Sequence, residues 1–222
     1  MTPPKAVLSW SSGKDCAFAL VEARRLGLAD IVAVLTTTNE AFDRVAMHGT
    51  RNALLERQVA ALGLPLIDVP LPWPCSNEVY AARMTAAMER VKATGATQMV
   101  FGDLFLQDVR AYREAQLAPL GIGAIFPLWG RPTDALAREM IAAGIEAHLV
   151  TVDPAQLHPG FCGRRYDASL LADLPEGVDP CGENGEFHTA VTAGPMFSAP
   201  IPVETGASVT RDGFTYTDLI PT

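Results

Sequence analysis

No two cysteines of this 222-residue chain stand in C-x-x-C spacing: Cys16, Cys75, Cys162 and Cys181 are widely separated, which removes the usual frame of a zinc ribbon or an iron–sulfur site. Free thiols are the reading that remains. His48, His148, His158 and His188 are equally scattered, and none forms the H-x-x-x-H spacing of a metalloprotease helix. No apolar run reaches the roughly 18 residues that a membrane helix needs. The opening Met1-Thr2-Pro3-Pro4-Lys5 leads at once into a strand-like run, without the zones of a secretion signal. A soluble, cytoplasmic protein with no membrane contact is therefore expected. Acidic residues outnumber basic ones by 25 to 17, a formal net charge of −8, which argues against a surface built to grip nucleic acid but leaves room for a local basic pocket.

What is present is a globular composition, with 49% hydrophobic and 19% charged residues. Strand-like and helical runs alternate: strands at residues 6–10, 31–36, 65–69, 98–101 and 124–126, with helices at 16–26, 47–62, 77–94 and 109–117 between them. Short apolar strands separated by helices predict a five-stranded parallel sheet covered on both faces. In such sheets ligands bind beyond the carboxyl ends of the strands. After Trp129 the pattern changes: a helix at 133–143 and a strand at 147–152 are followed by many prolines and glycines and by a tail that reads as antiparallel strands, with Arg211-Asp212-Gly213-Phe214 as a hairpin turn. We expect an α/β fold divided into residues 1–128 and a smaller α/β part at 129–222, with a cleft between them as the natural site.

The segment Ser11-Ser12-Gly13-Lys14-Asp15-Cys16 follows the first strand and opens the first helix. Small residues let backbone N–H groups close on an anion, Lys14 adds a mobile positive charge, and the helix dipole faces the same spot. It is not the common phosphate loop, which requires Gly in place of Leu8 and Ser or Thr in place of Asp15. A plain helix start, with Asp15 as its N-terminal charge, is the competing reading. Cys16 is either a reactive thiol or simply a small residue tolerated in the first turn.

A second constellation, Asp179-Pro180-Cys181-Gly182-Glu183-Asn184-Gly185-Glu186-Phe187-His188-Thr189, is too polar for a core strand and too rigidly punctuated for a linker. It reads as the polar side of a strand facing a shared cavity, where a carboxylate orients or deprotonates a nucleophile and His188 moves a proton, or else as a solvated turn. Gly102-Asp103 ends the fourth strand, and Asp103 there is a candidate ligand or metal contact. Arg110, Arg113 and Glu114 beyond it read partly as a salt-bridged exposed face. Thr37 lies at the end of the second strand, and His48, in Met47-His48-Gly49, near where a nucleotide base would lie. Pro127-Leu128-Trp129 either walls a ligand or packs a seam, and Met84, Met88 and Met99 read as core.

Taken together, these pieces resemble the PP-loop ATP pyrophosphatases, and within them the diphthine–ammonia ligase family with its bacterial and archaeal relatives. The resemblance rests on Ser11 to Cys16, Met47-His48-Gly49, Val100-Phe101-Gly102-Asp103, Pro127-Leu128-Trp129, and the residues 179–189 followed by Gly194-Pro195-Met196-Phe197. It implies an adenine-nucleotide α-hydrolase-like, Rossmann-like domain with a small substrate domain. It also implies ATP and Mg²⁺ as cofactors, and cleavage of ATP between its α and β phosphates as a substrate carboxyl or carbonyl is adenylated. Ammonia or another amine would then displace AMP to give an amide. On this resemblance Ser11, Ser12, Gly13, Lys14, Asp15, Cys16, Thr37, His48, Gly102 and Asp103 would bind the nucleotide, Asp15 the Mg²⁺, and Lys14, Glu183, Asn184, Glu186 and His188 would serve catalysis. Ser12 departs from the family's loop glycine and Cys16 from its terminal Ser. The partners implied are ATP, a carboxylate-bearing small molecule or protein side chain, and an amine donor; a homodimer is compatible with the chain. Two other classes stay open: nucleoside or tRNA modification by the same adenylation, and a non-catalytic adenine-nucleotide sensor.

Overall fold

An all-apolar strand needs cover on both faces, and Ala6, Val7 and Leu8, each 0% exposed, find it in strand β1 (Lys5–Ser9) at the centre of a sheet. A computed structural model describes residues 2–46 and 49–222 of the chain. After β1 come α1 (Lys14–Arg25), β2 (Asp30–Asn39), a two-residue β3 (Arg44–Val45), α2 (Asn52–Leu62), β4 (Leu66–Leu71), α3 (Asn77–Ala93), β5 (Gln98–Val100), α4 (Gln107–Leu117) and β6 (Gly123–Ile125). β1 pairs in parallel with β2 on one side and β5 on the other; β2 continues to β4 and β5 to β6, also in parallel. The five parallel strands expected from the sequence are thus all present. β3 is an addition, antiparallel to Thr38 and Asn39 of β2, in line with β1 beyond its end.

Chain order runs outward from β1 in both directions, so the crevice above the carboxyl ends of β1 and β5 is the switch point of the sheet. The second helix starts at Asn52 rather than near residue 47. Gly49 has φ +69, a left-handed conformation that no helix continues through, and Arg44 bridges Arg51 just before the helix begins.

The remaining elements are α5 (Thr133–Ala142), β7 (Glu146–Val152), α6 (Ala168–Asp173), β8 (Phe187–Ala193), β9 (Val203–Arg211) and β10 (Phe214–Pro221). They form a separate four-stranded sheet in the order β8-β7-β10-β9, antiparallel throughout. The turn between β9 and β10 places Asp212 at φ 50 and Gly213 at φ 84, two successive left-handed residues as a tight hairpin requires. One buried apolar cluster runs from Leu8, Trp10 and Phe18 to Leu149, Phe187 and Val191, so β8 packs against α1 and shares its core.

That packing is fixed by polar contacts as well. Val191 N donates to Ser12 O at 2.9 Å, and Gln58 on α2 accepts from the Trp10 indole at 3.0 Å while donating to Val191 O at 2.8 Å. On the other side of α1, a Cβ added at Gly102 would lie 2.7 Å from Asp15 C and Cys16 N, so the end of β5 and the start of α1 touch through bare backbone. Gly102→Ala should therefore cost about 1–3 kcal/mol, the usual range for overpacking. Urea denaturation measures it, and an unchanged midpoint would show that strand and helix part without strain.

Candidate active site

The turn between β1 and α1 is held in an unusual conformation. Ser12 has φ 71, a region that glycine adopts readily and serine rarely, and its hydroxyl is buried without a hydrogen-bond partner among the described residues. Its carbonyl, which accepts from Val191 N and from Gln58 Nε2 at 3.3 Å, keeps it there. The strained backbone aims the first turn of α1 at the crevice. Gly13 caps the helix without a side chain, and the amide of Lys14 donates to Thr189 Oγ1 at 3.1 Å. Asp15 and Cys16, which follow, line a cavity of about 230 Å³.

Lys14 does not line that cavity; its residue is 1% exposed. The ammonium donates to the carbonyl of Cys181 and to Asp15 Oδ2, the latter at 3.0 Å, and lies 5.2 Å from the Tyr166 ring centre and 5.3 Å from that of Phe187. Burial by itself would lower its pKa, but the charge of Asp15 beside it holds it above the usual lysine value. The mobile positive charge expected from the sequence is instead a fixed joint between the turn and residues 179–189. Asp15 uses Oδ2 for Lys14, while Oδ1 is buried and without a partner among the described residues. Burial pushes the Asp15 carboxyl up, and a cation reaching Oδ1 would relieve that cost. Burial also pushes the Cys16 thiol up to about 11, so it is no thiolate. It donates to Gly13 O at 3.1 Å and accepts from Ser11 N at 3.4 Å, which makes it a small packing residue of the turn.

Residues 179–189 divide into a brace and a lining. Glu186, buried, accepts from Asp179 N at 2.9 Å, Asn184 N at 3.0 Å and Asn184 Nδ2 at 3.1 Å, so Asn184 and Glu186 hold the loop's shape and neither lines the cavity. Gly182, Glu183, Gly185, Phe187, His188 and Thr189 do line it. Glu183 accepts from Leu104 N at 2.7 Å and Phe105 N at 3.4 Å, the segment just past β5; burial nonetheless raises its pKa to about 7. Burial, with the charge of Lys14, lowers His188 to about 4, so it is neutral at pH 7.

Ser11, Gly102 and Asp103 join the same cavity, and Asp103 accepts two hydrogen bonds from Arg113, at 2.7 and 3.0 Å. Thr37 lines a second, larger cavity of about 940 Å³ between the sheet and the helices α3 and α4. Met84, Met88 and Met99 line this cavity too, besides belonging to the core. His48 lies outside the described residues. Arg110 pairs with Glu114 at 2.8 Å, as expected of an exposed face, while Leu128 is buried in the core and the Trp129 ring meets Phe126 edge-on. Sequence reading missed Gln58, Tyr166 and Thr189 as parts of the assembly. Thr189 ended the polar motif and could have been found; Gln58 carries no signal in a helix of ordinary pattern.

The chain also resembles known proteins. The profile described as "Diphthamide synthase C-terminal domain" matches residues 132–217. A zebrafish (Danio rerio) protein named diphthine–ammonia ligase is 25% identical over 219 residues, covering 90% of this chain and 86% of that protein. The rat (Rattus norvegicus) protein of that name is 36% identical over 87 residues, 37% of this chain and 33% of its own length. The human (Homo sapiens) one is 34% identical over 87 residues, with the same coverage of 37% and 33%.

Two measurements check the site's physics. Lys14→Met leaves a buried carbonyl and carboxylate without their cation, and should cost about 3–5 kcal/mol in urea denaturation, as broken buried pairs do; a loss below about 1 kcal/mol would contradict the joint. The second concerns pH. His188, shifted from 6.5 to about 4, stabilises the fold fully above pH 6.5, and that stability is lost as pH falls toward 4. Glu183, shifted from 4.5 to about 7, acts with the opposite sign: its cost is absent below pH 4.5 and grows as pH rises through 7. In Glu183→Gln this opposing slope vanishes, so the variant should lose stability on acidification from pH 6.5 more steeply than wild type. Parallel profiles would refute the assignment.

Proposed function

We propose that this chain belongs to the diphthine–ammonia ligase family and is an ATP-dependent ligase that adenylates an acceptor carboxyl or carbonyl group, releases pyrophosphate, and forms an amide with ammonia. One observation carries the reading: the turn at the carboxyl end of β1 and the segment 182–189 from the other sheet line a single polar cavity, which adjoins a larger apolar one. A small polar chamber suits phosphate groups, and a chamber of about 940 Å³ is within the range that encloses a nucleoside and more.

On this reading ATP supplies AMP as the activating group, with Mg²⁺ drawing charge from the departing pyrophosphate. The amides of Asp15 and Cys16 at the start of α1 offer donors to an anion there. Asp15 Oδ1, buried and without a partner among the described residues, would accept a cation. Among the described residues no group of three or more His, Cys, Asp or Glu could hold a metal, so a divalent ion would rest on this one carboxylate and otherwise on phosphate and water, as Mg²⁺ commonly does. Glu183, with a pKa near 7, is poised to accept a proton from the incoming amine, and neutral His188 lies in the same lining to pass it on. Asn184 and Glu186 position Glu183 through the loop they brace. Lys14 positions the whole turn. The acceptor is a carboxylate on a small molecule or a protein side chain; the relatives' name points to diphthine.

The test is incubation with ATP, Mg²⁺, ammonium and a metabolite extract, with products separated by mass. AMP and pyrophosphate together are the expected products, and Glu183→Gln should slow amide formation by about 100-fold, within the usual contribution of a general base. ADP and phosphate under every condition would overturn the reading.

A further inference from the structure

Four residues, Ser9, Ser11, Phe101 and Arg113, line both the small polar cavity and the large apolar one, and so mark where the two adjoin. A nucleotide with its base in the large chamber and its terminal phosphates in the small one must cross here, and of the two groups between base and terminal phosphates, the ribose and the α-phosphate, only the α-phosphate carries charge. Of the four, only Arg113 is charged. No other lysine or arginine among the described residues lines either cavity. Two cations on helices that contribute to these linings are committed elsewhere: Lys14 on α1 to Cys181 O and Asp15, and Arg110 on α4 to Glu114, with its guanidinium 4.9 Å from the Phe126 ring centre and 4.7 Å from that of Trp129.

We propose that Arg113 grips the α-phosphate of the bound nucleotide, with Asp103 as the residue that positions it. This rests on the reading of the site as an adenine-nucleotide site. The guanidinium lies 4.5 Å from the Phe101 ring centre, and its Nε and Nη2 donate to the two oxygens of Asp103 at 2.7 and 3.0 Å. Held on a ring face and by a two-point pair, it has lost most of its rotamer freedom before any ligand arrives. Nη1 has no hydrogen-bond partner among the described residues, and its two N–H groups remain for a phosphate oxygen. Asp103 has both oxygens engaged by Arg113, which makes it a support for the arginine and a poor ligand for a metal ion. In adenylate transfer the α-phosphorus is the atom attacked, so a fixed positive charge there also favours the charge that builds in the transition state.

The test compares AMP with adenosine, which differ by this phosphate alone, in equilibrium titrations of the full chain. Arg113→Gln should weaken AMP binding by about 10- to 100-fold, the range of a charge-assisted hydrogen-bond pair, and leave adenosine within about twofold. Arg113→Lys, which keeps the charge without the fork, should recover part of the AMP affinity, and Asp103→Asn should lose AMP affinity selectively. Equal losses for AMP and adenosine would mean that Arg113 only shapes the fold; unchanged AMP binding would remove it from the phosphate. If the wild type itself binds neither AMP nor adenosine, the nucleotide reading falls, and this assignment with it.

Discussion

The Lys14 ammonium is buried between two aromatic rings, with a backbone carbonyl and one carboxylate as its partners. Taking such a charge out of water is costly, and leaving its partners without it would be costlier still. The consequence is geometric. Its carbonyl partner, Cys181, belongs to the polar segment that leads into β8, while its own amide is tied to Thr189 within β8. With Ser12 O bonded to Val191 N, two positions of one turn, Ser12 and Lys14, are locked to one segment of the other sheet. The cavity between them inherits its shape from this lock, and a serine is held at φ 71 as part of it.

The same burial sets the chemistry. Desolvation pushes the carboxyls of Asp15 and Glu183 up and the imidazole of His188 down, so the site avoids accumulating charge that it cannot pair. It leaves the two carboxyls in different settings. Asp15, beside Lys14, keeps one buried oxygen without a partner among the described residues. Glu183, held by two backbone amides past β5, titrates near neutrality, where an acid–base group is most useful. The cysteines of the joint stay inert: burial raises Cys181 to about 12 as it raises Cys16 to about 11.

Much of this was legible in the residues. Period-two and apolar runs located every parallel strand, and the small residues at 11–13 located the turn. The left-handed requirement at Gly49 was not legible, because a lone glycine in a helical pattern is ambiguous until its φ is known, and α2 accordingly starts later than its periodicity suggests. For the site, the sequence placed Lys14, Asp15, Glu183 and His188 in two motifs far apart in the chain but was silent on which atoms meet. A lysine beside a glycine turn reads as a phosphate ligand; only three-dimensional contact reveals an aromatic box from Tyr166 and Phe187 around it. Arg113 was hidden in a charged helical face that resembles any solvated surface.

The central claim is that a nucleotide occupies one site made by both sheets. Hydrogen–deuterium exchange read by mass spectrometry, with and without α,β-methylene-ATP and Mg²⁺, tests it most directly. If the claim holds, peptides covering residues 9–16, 101–106 and 182–189 slow together on addition of the nucleotide. Slowing confined to 9–16 and 101–106, with 182–189 unchanged, would contradict it.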